Sequence, residues 1–81
     1  MKIPAIKALV EQQNVADLRA AEEALLEEQP LPFEVKGDDE GEQLTHIIAA
    51  IWILERMEET GEDFKTALRQ YTSMVRESIS S

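Results

Sequence analysis

The chain has 81 residues, 17 acidic side chains against 8 Lys and Arg, a formal charge of −9, no Cys, one His and 43% apolar residues. That apolar fraction supports a folded core, so the chain is not a disordered acidic tail. The missing Cys removes disulfides, thiol nucleophiles and thiolate zinc sites, and the negative balance disfavours nucleic acid and anionic membrane surfaces as partners.

The expectation is a single domain over 1–81. Pro4 and Lys7 interrupt any apolar signal-peptide run after Met1-Lys2, which points to the cytoplasm. The longest apolar run, from Ile47 to Leu54, is far too short for a bilayer span, so no membrane is expected. A domain this small without a staple has oligomerisation as its remaining way to bury more surface.

Pro4 suits a first helical turn, and Ile3, Ile6 and Val10 recur at helical spacing. Asn14 followed by Asp17 reads as an N-cap with an acidic third residue, which favours a fresh helix from Val15. The spacing alone leaves open whether 4–13 and 15–29 are one bent helix or two. The second stripe would be Val15, Leu18, Leu25 and Leu26, with Ala21 at its margin. Glu22 falls inside this arc.

Pro30 and Pro32 then force extended geometry, and Leu31, Phe33 and Val35 alternate with period two. Residues 30–37 are therefore expected to form a Pro-rich strap laid over the helices. A third helix over about 40–60 opens with acid at its start and has Gly61 as its stop. A fourth, over about 62–79, carries Phe64, Ala67, Leu68, Tyr71, Met74, Val75 and Ile79 on one stripe. The short connection makes these two an antiparallel hairpin. The fold class is all-α: a small bundle of three or four helices with the strap before a C-terminal hairpin.

The third helix is apolar on two sides. Leu44, Ile47, Ile48, Ile51 and Leu54 form a broad face, with Trp52 at its edge. His46, Ala49, Ala50, Ile53 and Met57 run down nearly the opposite side. A helix apolar on both sides is buried on both sides, either by its own chain or by a second subunit. The second line, His46, Ala49, Ala50, Ile53 and Met57, is the candidate interface of a homo-oligomer, most simply a dimer.

Candidate chemistry is thin. Glu42 and His46 lie one turn apart, a metal half-site or acid–base pair that a second subunit could complete; alone, it lacks the three or four ligands zinc needs. Asp38, Asp39, Glu40 and Glu42 lack the calcium-loop spacing and read better as helix N-terminal charge. Glu55, Glu58, Glu59, Glu62 and Asp63 crowd the turn between the third and fourth helices, where solvent is expected. Glu55 and Glu22 would find Arg69 or Lys7 as structural partners. Lys65, Arg69 and Arg76 line the fourth helix, facing an internal acidic flank such as Glu23 and Glu27, or else an acidic partner or a phosphate-bearing ligand. No catalytic, cofactor-binding or metal residue is assigned, and no cofactor is expected.

Met1-Lys2-Ile3-Pro4-Ala5-Ile6-Lys7, with Glu40-Gly41-Glu42-Gln43-Leu44-Thr45-His46 and the apolar helix after it, resembles a family of short bacterial proteins of unknown function, found mainly in the Bacteroidota. The resemblance spans most of the chain and implies a small helical protein without an established activity. Placement of such genes near peroxiredoxin and thioredoxin genes would imply an accessory part in oxidative defence, although this chain has no Cys for the redox step. The expected function is a non-catalytic interaction or accessory module that self-associates through helix 40–60. The alternatives are an enzyme or metal-binding protein with an interfacial site at Glu42 and His46, and an acidic, antitoxin-like module that masks a basic partner.

Overall fold

A computed structural model describes residues 2–80, with side chains through Glu77. Four helices follow one another: α1 (Ile3–Gln12), α2 (Val15–Leu26), α3 (Glu40–Thr60) and α4 (Phe64–Ser80). No strand occurs among the described residues.

The Lys2 carbonyl starts α1 by accepting the backbone N–H groups of Ala5 and Ile6. Pro4 costs nothing in that first turn, where its missing donor would have no intrahelical partner. Ala5, Ile6, Leu9 and Val10 form the buried stripe. The chain then breaks: Gln13 and Asn14 are extended, and the Asn14 side chain accepts the Asp17 N–H at 2.8 Å. Segments 4–13 and 15–29 thus hold two separate helices, ending at Gln12 and Leu26, and the cap at Asn14 is the reason for the break.

In α2, Leu18 and Ala21 are fully buried and Leu25 is half-buried, but Leu26 is 65% exposed and leaves the expected stripe. Leu26 is the last helical residue, and the chain turns away immediately after it. Gln29 donates to the Ala24 carbonyl at 2.8 Å and Glu28 to that of Leu25 at 3.2 Å, the paired bonds of a Schellman stop. The stop requires left-handed backbone at Glu28, whose φ is 57°, although it is not a glycine.

Residues 27–39 carry no helix or strand. Val35 is buried, Leu31 and Phe33 are half-buried, and Pro32 and Glu34 are exposed. The segment is fastened to α3 by Gln43 Nε2, which donates to the Val35 carbonyl at 2.9 Å. Gly37 passes so close that a Cβ there would lie 2.8 Å from Gln43 Cγ and 2.9 Å from its backbone nitrogen.

Helix α3 is the centre of the molecule and packs against α1, α2 and α4. Asp39 caps it by accepting the Glu42 N–H at 2.7 Å, and Gly61 ends it in left-handed backbone at φ 77°. His46, Ile47, Ala49, Ala50, Ile51 and Ile53 are its buried residues. Both apolar sides expected from the sequence are therefore largely closed by one chain.

Helix α4 starts at Phe64, two residues later than the sequence suggests, because Asp63 is its cap and accepts the Thr66 N–H at 2.9 Å. Trp52 meets Tyr71 with ring centroids 5.6 Å apart, and Arg56 Nε donates to Gln70 Oε1 at 2.8 Å. These two contacts run the helices antiparallel. Ala67 and Tyr71 are buried and Phe64, Leu68 and Val75 are half-buried. Met74 is 40% exposed, so it sits at the margin of the stripe; the Ile79 side chain lies outside the described residues. Among the other helices, α4 has substantial contact with α3 alone.

Candidate functional site

Among the described residues, His46 is the one buried polar side chain besides the Tyr71 phenol, at 0% exposure. Its Nδ1 lies 2.7 Å from the Lys36 carbonyl oxygen, which can only accept, so Nδ1 carries the proton. Its Nε2 accepts the Lys2 backbone N–H at 2.9 Å. Both partners fix one neutral tautomer, and the ring ties the start of α1 and the segment before α3 to the middle of the fold. A buried polar group satisfied in this way is a structural connector.

Glu42 is engaged elsewhere. Its Oε1 accepts the Asp38 N–H at 3.2 Å and lies 3.7 Å from Lys2 Nζ. The structure thus places Glu42 and His46 on neighbouring turns without joining them into a pair. Among the described residues no group of three or more His, Asp or Glu side chains could hold a metal ion. Asp38 and Asp39 are accounted for by the Lys2 ion pair at 3.5 Å and by the α3 cap. Ion pairs this exposed contribute about 0–1 kcal/mol.

Glu55 pairs with Arg19 of α2 at 2.8 Å, rather than with Arg69 or Lys7. The reason is that α2 crosses the side of α3 where Glu55 emerges, an arrangement the sequence spacing does not encode. Glu22 is half-buried, and Glu58, Glu59, Lys65 and Arg69 are exposed. The Asp63 carboxyl is held below its ordinary pKa by the hydrogen bonds from Thr66, side chain first and then backbone, with Lys65 adding a smaller attraction. Burial raises the Tyr71 phenol above its ordinary value.

The sequence-derived interface line meets a different fate. His46, Ala49, Ala50 and Ile53 have no exposed surface within the single chain, and Met57 is half-buried. These four closed positions have no area to present to a second copy of the folded chain. The apolar surface that α3 leaves open lies on the other side, where Leu44, Ile48 and Trp52 recur every four residues. Ile48 is 41% exposed and its two neighbours on this ridge are half-buried. Beside Trp52 is a hollow of about 250 Å³ lined by Glu55, Arg56 and Glu59, with the Arg56 guanidinium 5.8 Å from the Trp52 ring centre.

Sequence reasoning missed the partners of His46 because both are backbone groups far from it in sequence. No pattern of side chains announces them. Helical spacing puts Leu44 and Ile48 on one apolar face with Trp52 at its edge, but it does not show that these positions stay open.

The fold and these contacts define a small all-α bundle with a histidine connector and an open apolar ridge on its central helix. The model of a family of unknown function, DUF6952, matches residues 1–80, and the chain belongs to that family. No curated protein and no solved structure matches it. No helix among the described residues is long and apolar enough to cross a membrane.

Proposed function

We propose that the protein is a non-catalytic interaction module whose binding face is the α3 ridge of Leu44, Ile48 and Trp52. The observation that carries this reading is Ile48, a large apolar side chain 41% exposed in the middle of the most central helix. Leaving such a side chain in water forgoes the burial that stabilises the rest of α3. The acid–base or metal alternative needs a free nitrogen on His46, and both are committed to backbone partners. Self-association through α3 would have to use the same ridge, because the line through His46, Ala49, Ala50 and Ile53 is closed within the chain.

A photo-crosslinking side chain placed at position 48, and separately at exposed Glu11 of α1, tests the face in the cell that makes the protein. The expected result is a discrete adduct from position 48 that position 11 does not give. Its mass identifies a second copy or another protein. Equal labelling from both positions, or none from position 48, would overturn the reading.

A further inference from the structure

We infer that the occupant of the α3 ridge is a basic amphipathic helix of another protein; this rests on reading that ridge as the binding face. Side chains repeating every four residues form a row that interlocks with the corresponding row of a crossing helix. Leu44, Ile48 and Trp52 provide such a row, so an α-helical segment is the shape that fits.

Charge selects among helices. Between Glu42 and Glu55, α3 carries no Asp, Glu, Lys or Arg. The apolar stretch is bracketed along its length by acid: Asp38, Asp39, Glu40 and Glu42 at one end, and Glu55, Glu58, Glu59, Glu62 and Asp63 at the other. Lys2 offsets part of the first group, through Asp38 and Glu42. Arg19 offsets Glu55, Arg56 is held by Gln70, and Lys65 stands near Asp63. Both ends keep more acid than base.

The hollow beside Trp52 adds a specific contact. Glu59 lines it, is exposed and forms no ion pair among the described residues, while the indole provides an adjacent aromatic surface. A Lys or Arg head group entering there would meet the exposed Glu59 carboxylate, beside an indole over which the Arg56 guanidinium already sits at 5.8 Å. A second copy of the chain fits less well. In either orientation along the ridge it would set acidic ends against acidic ends, on two molecules of formal charge −9 each.

The test uses three designed helical peptides with leucines at the same four-residue spacing, flanked by lysine, glutamine or glutamate. Binding is followed by the fluorescence of Trp52, the sole Trp of the chain. The lysine peptide is expected to bind most tightly. Ile48→Asp and Glu59→Lys should each weaken it about tenfold or more, as expected for loss of one anchor contact. Glu11→Lys, which changes net charge as much as Glu59→Lys but on α1, should leave binding nearly unchanged.

Equal affinity for the glutamine or glutamate peptide would overturn the basic occupant while leaving the ridge as a binding face. Equal weakening by Glu11→Lys and Glu59→Lys would show diffuse attraction and overturn the inference. Wild-type dimers in sedimentation that Ile48→Asp converts to monomers would assign the ridge to a second copy and overturn it too. Failure of every peptide, together with no position-48 adduct, would remove both the occupant and the face.

Discussion

Replacing His46 probes the joint between three segments of the chain. In His46→Ala the Lys36 carbonyl and the Lys2 N–H lose their partner, and the enclosed ring leaves a void. Both hydrogen bonds are only partly buried, so water can replace them in part and each loss costs about 1 kcal/mol. Removing a large side chain from an enclosed site adds about 2 kcal/mol. The expected destabilisation is about 4 kcal/mol, against about 4–12 kcal/mol of total stability for a chain of this length. A urea titration followed by far-ultraviolet circular dichroism reads this as a midpoint lowered by about 2–4 M, at a slope of about 1–2 kcal/mol per molar. Asparagine can imitate Nδ1 and glutamine Nε2, so His46→Asn should retain the bond to Lys36 and His46→Gln the bond from Lys2. Each is expected to recover part of the loss. A His46→Ala variant within about 0.5 kcal/mol of the wild type, the usual range of surface changes, would refute the connector role.

Two further outcomes follow from the termini of the helices. Glu28→Gly relieves left-handed backbone at a non-glycine residue and removes an acid from the C-terminal end of α2. It should stabilise the fold by about 1 kcal/mol, a Tm rise of about 4–8 °C, and an unchanged or lowered Tm would contradict the strain argument. Asp63 has a folded-state pKa below its unfolded value, so the stabilisation from its ionised form is present above the unfolded value and lost as pH falls through the folded one. The stability advantage of wild type over Asp63→Asn should therefore be present at neutral pH and shrink below the ordinary carboxylate range, about pH 4. An advantage independent of pH would show that the cap works without its charge.

Where the chain carries its own local signal, the sequence reading and the structure agree. Asn14 and Asp17 mark a helix start through a side chain and a backbone donor three residues apart, and Gly61 marks a stop through its own backbone freedom. Such contacts lie within one turn, which is the range over which spacing is informative. The limits appear where a neighbour decides. The helical period identifies the two apolar sides of α3 but not which element covers each, so it does not separate closed His46, Ala49, Ala50 and Ile53 from half-open Ile48. The Glu55–Arg19 pair depends on how α2 crosses α3. Glu28 gives no composition signal because a Schellman stop usually recruits glycine. The bonds to His46 come from the backbones of Lys2 and Lys36, which look like any other peptide groups.

The isolation of α4 on α3 bears on what spectroscopy of this protein reports. Trp52 lies on the seam with Tyr71, and α4 has no other extensive neighbour among the helices. Its emission is therefore a local gauge of that seam and changes when α4 lifts away, even while α1, α2 and α3 stay packed. Circular dichroism, weighted over all four helices, averages the whole chain. Coincidence of the two signals would be a measure of how strongly the last helix is coupled to the other three.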